Sequence, residues 1–270
     1  MIFTVSHSRT QDNRGFSLLE LVIVLAIVSI FSVVTVNIGK NTREYDGLTK
    51  NEIYMNTVQE NLMTFVKANF FLPCPDVDGD GVEDRTNVAP FECEASRGRI
   101  PFLDIGVSAT DAWNQPLFYT INARADNAGD IQNANESASY FNNGLALGQP
   151  APVFNFTTPP MNDDAGTGNY QVCGENTSLI SGCTEDFFIA TAVIAVVVSF
   201  GQNGAATWKE FDSGVNAGLD AAETENVNRS NRLFWLAPGS QREGQNFDDQ
   251  LFWITGWDVK SAVISSGGSL

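Results

Sequence analysis

The stretch Arg14-Gly15-Phe16-Ser17-Leu18-Leu19-Glu20 leads into a long apolar segment of the chain. From Phe16 to Ile38 the only charged residue is Glu20, and most of the others are Leu, Ile, Val, Phe or Ala. A helix over this range would be about 35 Å long, and a bilayer core is about 30 Å thick. The stretch therefore predicts a membrane-spanning helix with one carboxylate near its start.

The residues before this helix predict its orientation. Met1–Gly15 contains no run of seven apolar residues, so it lacks the core of an ordinary secretory signal peptide. Arg9 and Arg14 precede the apolar segment, which places the N-terminus in the cytoplasm and the remainder in the periplasm. The alternative is an ordinary single-pass anchor that is not processed. Glu20 argues against it, because a carboxylate buried in lipid is costly and usually has a function.

The motif Gly15-Phe16-Ser17-Leu18-Leu19-Glu20 resembles the class III signal of type IV pilins and type II secretion pseudopilins. The resemblance implies that a prepilin peptidase cleaves after Gly15 and methylates the new N-terminus at Phe16. It also implies that Glu20 pairs with the N-terminal amine of a neighbouring subunit, which offsets the cost of burying the carboxylate. The implied partners are this peptidase, other pilin or pseudopilin subunits, the inner membrane and the assembly platform.

The helix is predicted to continue beyond the membrane. No proline occurs between Phe16 and Phe71, and Leu48, Met55 and Leu62 recur every seven residues. This spacing predicts one helix from Phe16 to about Asn69, with the apolar stripe of its second half facing a core. The resemblance implies an α+β, type IV pilin-like fold in which this half packs on an antiparallel sheet.

Four segments follow from these patterns. They are a leader at 1–15, the transmembrane half of the helix at 16–38, its periplasmic half at 39–72 and a β-rich globular periplasmic domain at 73–270.

The globular part contains a second apolar run, Phe187–Phe200, whose β-branched residues predict a central strand buried on both faces. Trp208–Asp212 is predicted as a short strand or an extended segment, and Ser261–Leu270 as a loose tail. Further strands are predicted at Pro116–Asn122, Val153–Thr157, Leu233–Leu236 and Gln250–Thr255.

Charge and composition exclude several functions. The net charge of −17 repels phosphate backbones, so nucleic acid is not an expected partner, whereas cations are favoured. The only histidine, His7, lies in the predicted leader. A mature chain without histidine cannot use Ser-His-Asp or Cys-His catalysis, nor a histidine-ligated metal. We therefore do not expect an enzyme.

The four cysteines lie outside the apolar helix, at Cys74, Cys93, Cys173 and Cys183. An even number at short separations in an exported domain indicates two disulfides. Three connectivities are open, and the sequential one, Cys74–Cys93 with Cys173–Cys183, closes two short loops and is favoured here.

An acidic loop lies between the first two cysteines. Its sequence, Asp76-Val77-Asp78-Gly79-Asp80-Gly81-Val82-Glu83-Asp84, matches the first half of an EF-type calcium loop. The nominated ligands are the carboxylates of Asp76, Asp78, Asp80 and Asp84 and the carbonyl of Val82. Asn87 stands where such a loop has a bidentate Glu, and Glu83 is the candidate replacement. A structural calcium ion and an acidic turn that binds nothing both remain open.

These residues predict a structural function, a minor subunit of a type IV pilus or pseudopilus. Pro73-Cys74-Pro75-Asp76, Arg99–Gly106 and Asp111-Ala112-Trp113 look like a group of minor-pilin-like proteins, which extends the resemblance beyond the signal. The alternative is a tip adhesin or a cargo-binding pseudopilin of a type II secretion system, with its contact loops between Asp126 and Gly168.

Overall fold

A computed structural model of the chain describes residues 18–86, 93–121, 141–142, 152, 154–158, 170–174, 183, 185–214, 221–227, 233–236, 240–242 and 245–270, with backbone only at 33–45, 221, 240–242 and 245–246. Two compact units are present, Met1–Asp46 and Gly47–Leu270.

The first element is the helix α1, which runs from Leu18 to Asn69. The prediction of one long helix ending near Asn69 is therefore confirmed. The helix ends because Phe70 adopts a left-handed conformation, with φ of 66°, while its N–H still donates to the Val66 carbonyl at 2.7 Å. Pro73 then follows within a turn and cannot continue a helix.

In the first unit, every side chain of α1 from 18 to 32 is exposed. The hydroxyl of Ser29 donates to the carbonyl of Leu25 at 2.6 Å, and that of Ser32 donates to the carbonyl of Val28 at 2.8 Å. The two serine hydroxyls of this segment thus find partners within the helix itself, and apart from Glu20 its other side chains are apolar. Within the described residues, we find no helix that combines the length and apolar character needed to cross a membrane.

The second unit is built on a sheet around one long strand, β4. The strands are β1 (Arg97–Arg99), β2 (Phe118–Ile121), β3 (Tyr170–Cys173), β4 (Phe188–Ser199), β5 (Leu233–Trp235), β6 (Ser240–Arg242), β7 (Gln245–Phe247) and β8 (Gln250–Thr255). Strand β4 pairs antiparallel with β2, β3 and β8, and β1 pairs antiparallel with β2. Strands β6 and β7 form a separate hairpin.

The remaining helices are α2 (Phe102–Ile105), α3 (Gly204–Ser213), α4 (Ala221–Val227) and α5 (Gly256–Ser265).

Apolar side chains cover both faces of β4, as predicted. Val197 joins the core that contains Val58 and Leu62 of α1, together with Val259 of α5. Val196 and Val198 join a second core on the other face, with Trp208 of α3. Alternation along one strand thus serves two cores, which explains why the sequence of β4 is a continuous apolar run.

Four details of the prediction are wrong. The sheet is mixed and not purely antiparallel, because β3 pairs parallel with β5.

Trp208–Asp212 lies in the helix α3, where the Trp208 indole N–H donates to the Pro116 carbonyl at 2.9 Å and fixes the helix on the sheet.

The predicted tail contains most of α5. Thr255 and Asp258 form a capping box at its start, and Val259, Ala262 and Val263 are buried at helical spacing. The predicted strand at Val153–Thr157 is instead a turn where it is described, because the Asn155 side chain accepts from the Thr157 N–H at 2.9 Å.

Candidate functional site

The N-terminal motif lies partly outside the described residues. Gly15 and Phe16 precede them, so the processing site stays a sequence-based prediction. Glu20 lies in the first turn of α1 with its side chain exposed. A carboxylate in the first turn is favoured by the partial positive charge of the helix N-terminus, and it is open to contact from another chain.

The acidic loop is the second candidate site, and the chain around it is held on both sides. The structure pairs Cys74 with Cys93, with their Cα atoms 5.3 Å apart, which is the pairing favoured from the sequence. Asp76 also pairs with Arg99 through both backbone groups, at 3.0 and 2.8 Å. The disulfide and this backbone pairing therefore hold the chain beside the loop at 76–84 in place.

Three of the nominated carboxylates come together. Asp76, Asp78 and Asp84 each place one oxygen within 4.8 Å of the others. The buried Asp76 accepts from the N–H groups of Gly79 at 2.6 Å and Gly81 at 2.9 Å, and these contacts set the turn. Convergent carboxylates are the oxygen ligands that a hard cation such as Ca²⁺ takes.

The other nominated groups have different surroundings. Asp80 is not part of the converging trio, and its carboxylate accepts from the Val82 N–H at 2.8 Å. Glu83 binds Arg85 at 2.9 Å and accepts from the Cys74 N–H at 2.8 Å, so it does not replace a missing ligand. Asn87 lies outside the described residues.

The loop conformation requires glycine at position 81. Gly81 has a φ of +93°, and a Cβ there would come within 2.5 Å of the Phe102 ring.

Burial raises the pKa of Asp76, and nearby Asp84 and Asp80 raise it further, against the lowering effect of its two backbone hydrogen bonds. A cation among these carboxylates would relieve that repulsion.

A second acidic cluster was not predicted from the sequence. Glu223, Asp248 and Asp249 also place oxygens within 4.8 Å of one another. Each carboxylate has a protein donor, from Asn203, the Gln202 N–H and Asn226 respectively. The adjacent Asp248-Asp249 pair was the only signal for this cluster. Glu223 lies in α4, a segment whose sequence is compatible with either a helix or a loop.

A buried polar network joins α1 to the sheet. The Asn51 amide donates to Ser199 at 3.0 Å and to Gln250 at 2.8 Å, and the Ser199 hydroxyl donates to Asp111 at 2.7 Å. The other oxygen of Asp111 accepts from the N–H groups of Trp113 and Gln115, both at 2.9 Å. The Asp111-Ala112-Trp113 turn therefore serves to position α1 on β4.

The second disulfide joins Cys173, at the end of β3, to Cys183, with Cα atoms 6.0 Å apart. The loops between Asp126 and Gly168, which the adhesin alternative needs, lie mostly outside the described residues.

The described architecture is α+β, with an N-terminal helix followed by a mixed sheet. Residues 10–36 match the family model described as the prokaryotic N-terminal methylation motif. The chain thus carries the class III prepilin signal of type IV pilins and pseudopilins. A comparison with curated proteins gave no match, and a comparison with solved structures gave none either.

The signal carries several coarser conclusions. It supports a pilin-like or pseudopilin subunit, a class that is usually structural and not enzymatic. It implies processing by prepilin peptidase, assembly with other pilin subunits and a membrane-anchored N-terminus.

Proposed function

We propose that this protein is a minor subunit of a type IV pilus or pseudopilus. It would be held in the inner membrane by residues 16–38, with the globular unit in the periplasm, until the assembly platform inserts it into a filament. The observation that carries the proposal is the prepilin signal at residues 10–36, which overlaps the first part of α1. Two disulfides and a large loop-rich domain support a minor subunit over a major one.

Glu20 would act during assembly. In a bundle of apolar helices its carboxylate lacks water, and the N-terminal amine of N-methyl-Phe16 in a neighbouring subunit would neutralise it. One register between neighbours would then be favoured over the rest, because a buried charge without a partner is strongly unfavourable.

The test is a Glu20→Val variant with Ser29→Val as its matched control. Both changes replace a polar group of the apolar helix with valine, but the Ser29 hydroxyl is satisfied within its own helix. We expect both variants to be cleaved after Gly15, and only Glu20→Val to be missing from sheared pili or pseudopili. Normal recovery of Glu20→Val with the filaments would contradict the proposal.

We also propose that Asp76, Asp78 and Asp84 hold a structural Ca²⁺, with water and the Val82 carbonyl completing the shell. The convergence of the three oxygens supports this. Calcium would raise the melting temperature, EDTA would lower it, and Asp78→Asn would abolish the difference, whereas Asp212→Asn on α3 would not. A melting temperature that ignores both calcium and EDTA would overturn the metal site and leave the filament proposal standing.

A further inference from the structure

The acidic loop and the adjoining helix α2 expose apolar side chains. Val77 and Val82 are each 40% exposed, and Leu103 of α2 is 60% exposed. The Leu103 N–H donates to the Gly81 carbonyl at 2.9 Å, so α2 is fixed against the loop beside Val82. We call this surface, formed by residues 77–82 together with Leu103 and Asp104, the acidic knuckle.

The acidic knuckle is rigidly held, although it lies at the surface. The backbone pairing of Asp76 with Arg99 fixes the start of the loop, and the Asp84 N–H, which donates to the Pro75 carbonyl at 3.3 Å, fixes its end. Gly98 packs so closely beneath it that a Cβ there would come within 2.5 Å of the Asp76 carbonyl. A surface that is already ordered loses little conformational entropy when it binds, which favours recognition.

Carboxylates surround these apolar side chains. Asp78 and Asp80 are exposed in the loop, and exposed Asp104 accepts from the Glu83 N–H at 2.7 Å. Two bases lie nearby. Arg85 is bound to Glu83 and lies 5.0 Å from the centre of the Phe71 ring, and Arg99, whose guanidinium lies beside Gly79, is 5.1 Å from the centre of the Trp208 ring. The apolar centre of the acidic knuckle therefore has a negative rim.

This charge selects the kind of partner. A chain with net charge −17 offers an acidic surface to a second copy of itself, and anionic lipid headgroups and nucleic acids also repel carboxylates. A protein segment with cationic and apolar side chains complements both the rim and the centre.

We propose that the acidic knuckle binds a segment of a partner protein that carries lysine or arginine beside apolar side chains. Leu103, Val82 and Val77 pack against the apolar residues of that segment, while Asp80 and Asp104 attract its charges. This proposal does not rest on assembly into a filament, nor on calcium binding.

The test uses the full chain in neutral detergent micelles with calcium present, and three labelled synthetic peptides. The first alternates lysine with leucine, the second has glutamate in place of lysine, and the third has serine in place of leucine. Fluorescence anisotropy is expected to show binding of the first peptide alone. Leu103→Ser is expected to weaken that binding about tenfold, because an apolar anchor at an interface contributes about this much.

Matched variants separate this site from general charge attraction. Ile264→Ser changes an equally apolar side chain, 44% exposed on α5, and should leave the affinity unchanged. Asp80→Asn and Asp104→Asn keep their hydrogen-bond acceptors but lose charge, so both should weaken binding and reduce its dependence on salt.

Three outcomes would overturn the proposal. They are no binding of the lysine–leucine peptide, equal binding of the serine-substituted peptide, and equal losses in Leu103→Ser and Ile264→Ser. Melting curves of the variants check folding, and all four substituted residues are exposed, so each variant should fold.

Discussion

Leu25 and Leu62 belong to the same helix, α1, yet Leu25 is 59% exposed while Leu62 is fully buried. The segment at 18–32 is apolar apart from Glu20, Ser29 and Ser32, and all its side chains are exposed. The segment from Gly47 to Asn69 has one apolar stripe, which joins the core of the globular unit. Among the described residues, only the second of these two segments packs into a core of this chain.

The difference explains which interactions each segment needs. A helix that is apolar all round needs lipid or other apolar helices as its surroundings. A helix with one apolar stripe is satisfied by its own domain, and its position is then set by specific groups such as Asn51. Substitutions that are alike in chemistry should consequently act very differently in the two segments.

The largest contrast is expected for leucine truncation. Leu62→Ala removes a fully buried side chain from the core and should lower the free energy of unfolding by about 3 kcal/mol. Leu25→Ala should leave that value unchanged, because its side chain makes no part of the core. Urea unfolding followed by near-ultraviolet circular dichroism measures both, and equal losses would contradict the division of α1 into two environments.

A smaller contrast is expected for asparagine. Asn51→Leu removes the donors to Ser199 and Gln250 and leaves buried polar groups without partners, which should cost about 2 kcal/mol. Asn56→Leu, on the exposed side of the same helix segment, should change stability little. If the two variants unfold at the same urea concentration, the polar network does not hold α1 on the sheet.

The smallest effect concerns pH and the same network. Burial raises the pKa of Asp111, although its hydrogen bonds from Ser199, Gln115 and Trp113 lower it in part. The folded state therefore binds this proton more tightly than the unfolded chain, whose aspartates titrate near pH 4. This tighter proton binding stabilises the folded state. The stabilisation is fully present below about pH 4 and is lost as the pH rises through the raised pKa of Asp111 in the folded protein.

The Asp111→Asn variant lacks this titration. Wild type should gain stability relative to the variant as the pH falls from 7 towards 4, and unfolding curves of both proteins across that range measure the change. The opposite slope would show that the hydrogen bonds, and not burial, set the pKa of Asp111.

The sequence predicted the elements whose signals are local and strong. Helix α1 shows a stripe without proline, β4 is a long β-branched run, and the cysteine spacing favoured the two pairings found. Helix α3 was missed because it is held by a distant group, the Pro116 carbonyl that accepts from Trp208, and no local pattern reports such a contact. Helix α5 was missed although it carries a local signal, the capping box of Thr255 and Asp258 followed by apolar residues at helical spacing.

The candidate sites divide in the same way. The prepilin signal and the converging Asp76, Asp78 and Asp84 were readable because each lies within one short stretch. The roles of Asp80 and Glu83 were not predicted, because the calcium-loop pattern assigns ligands by position and does not show that Glu83 pairs with Arg85 or that Asp80 accepts from the Val82 N–H. The cluster of Glu223 with Asp248 and Asp249 could not be predicted, because only the folded chain brings α4 close to the residues that follow β7.

The central claim, that this chain is a processed filament subunit, is tested most directly by its mature N-terminus. The full chain would be purified from membranes of cells with and without prepilin peptidase, and its intact mass and N-terminal peptide measured. We predict a chain that begins at N-methyl-Phe16 when the peptidase is present and retains residues 1–15 when it is absent. A chain that keeps the leader in both, or begins at another residue, would contradict the account.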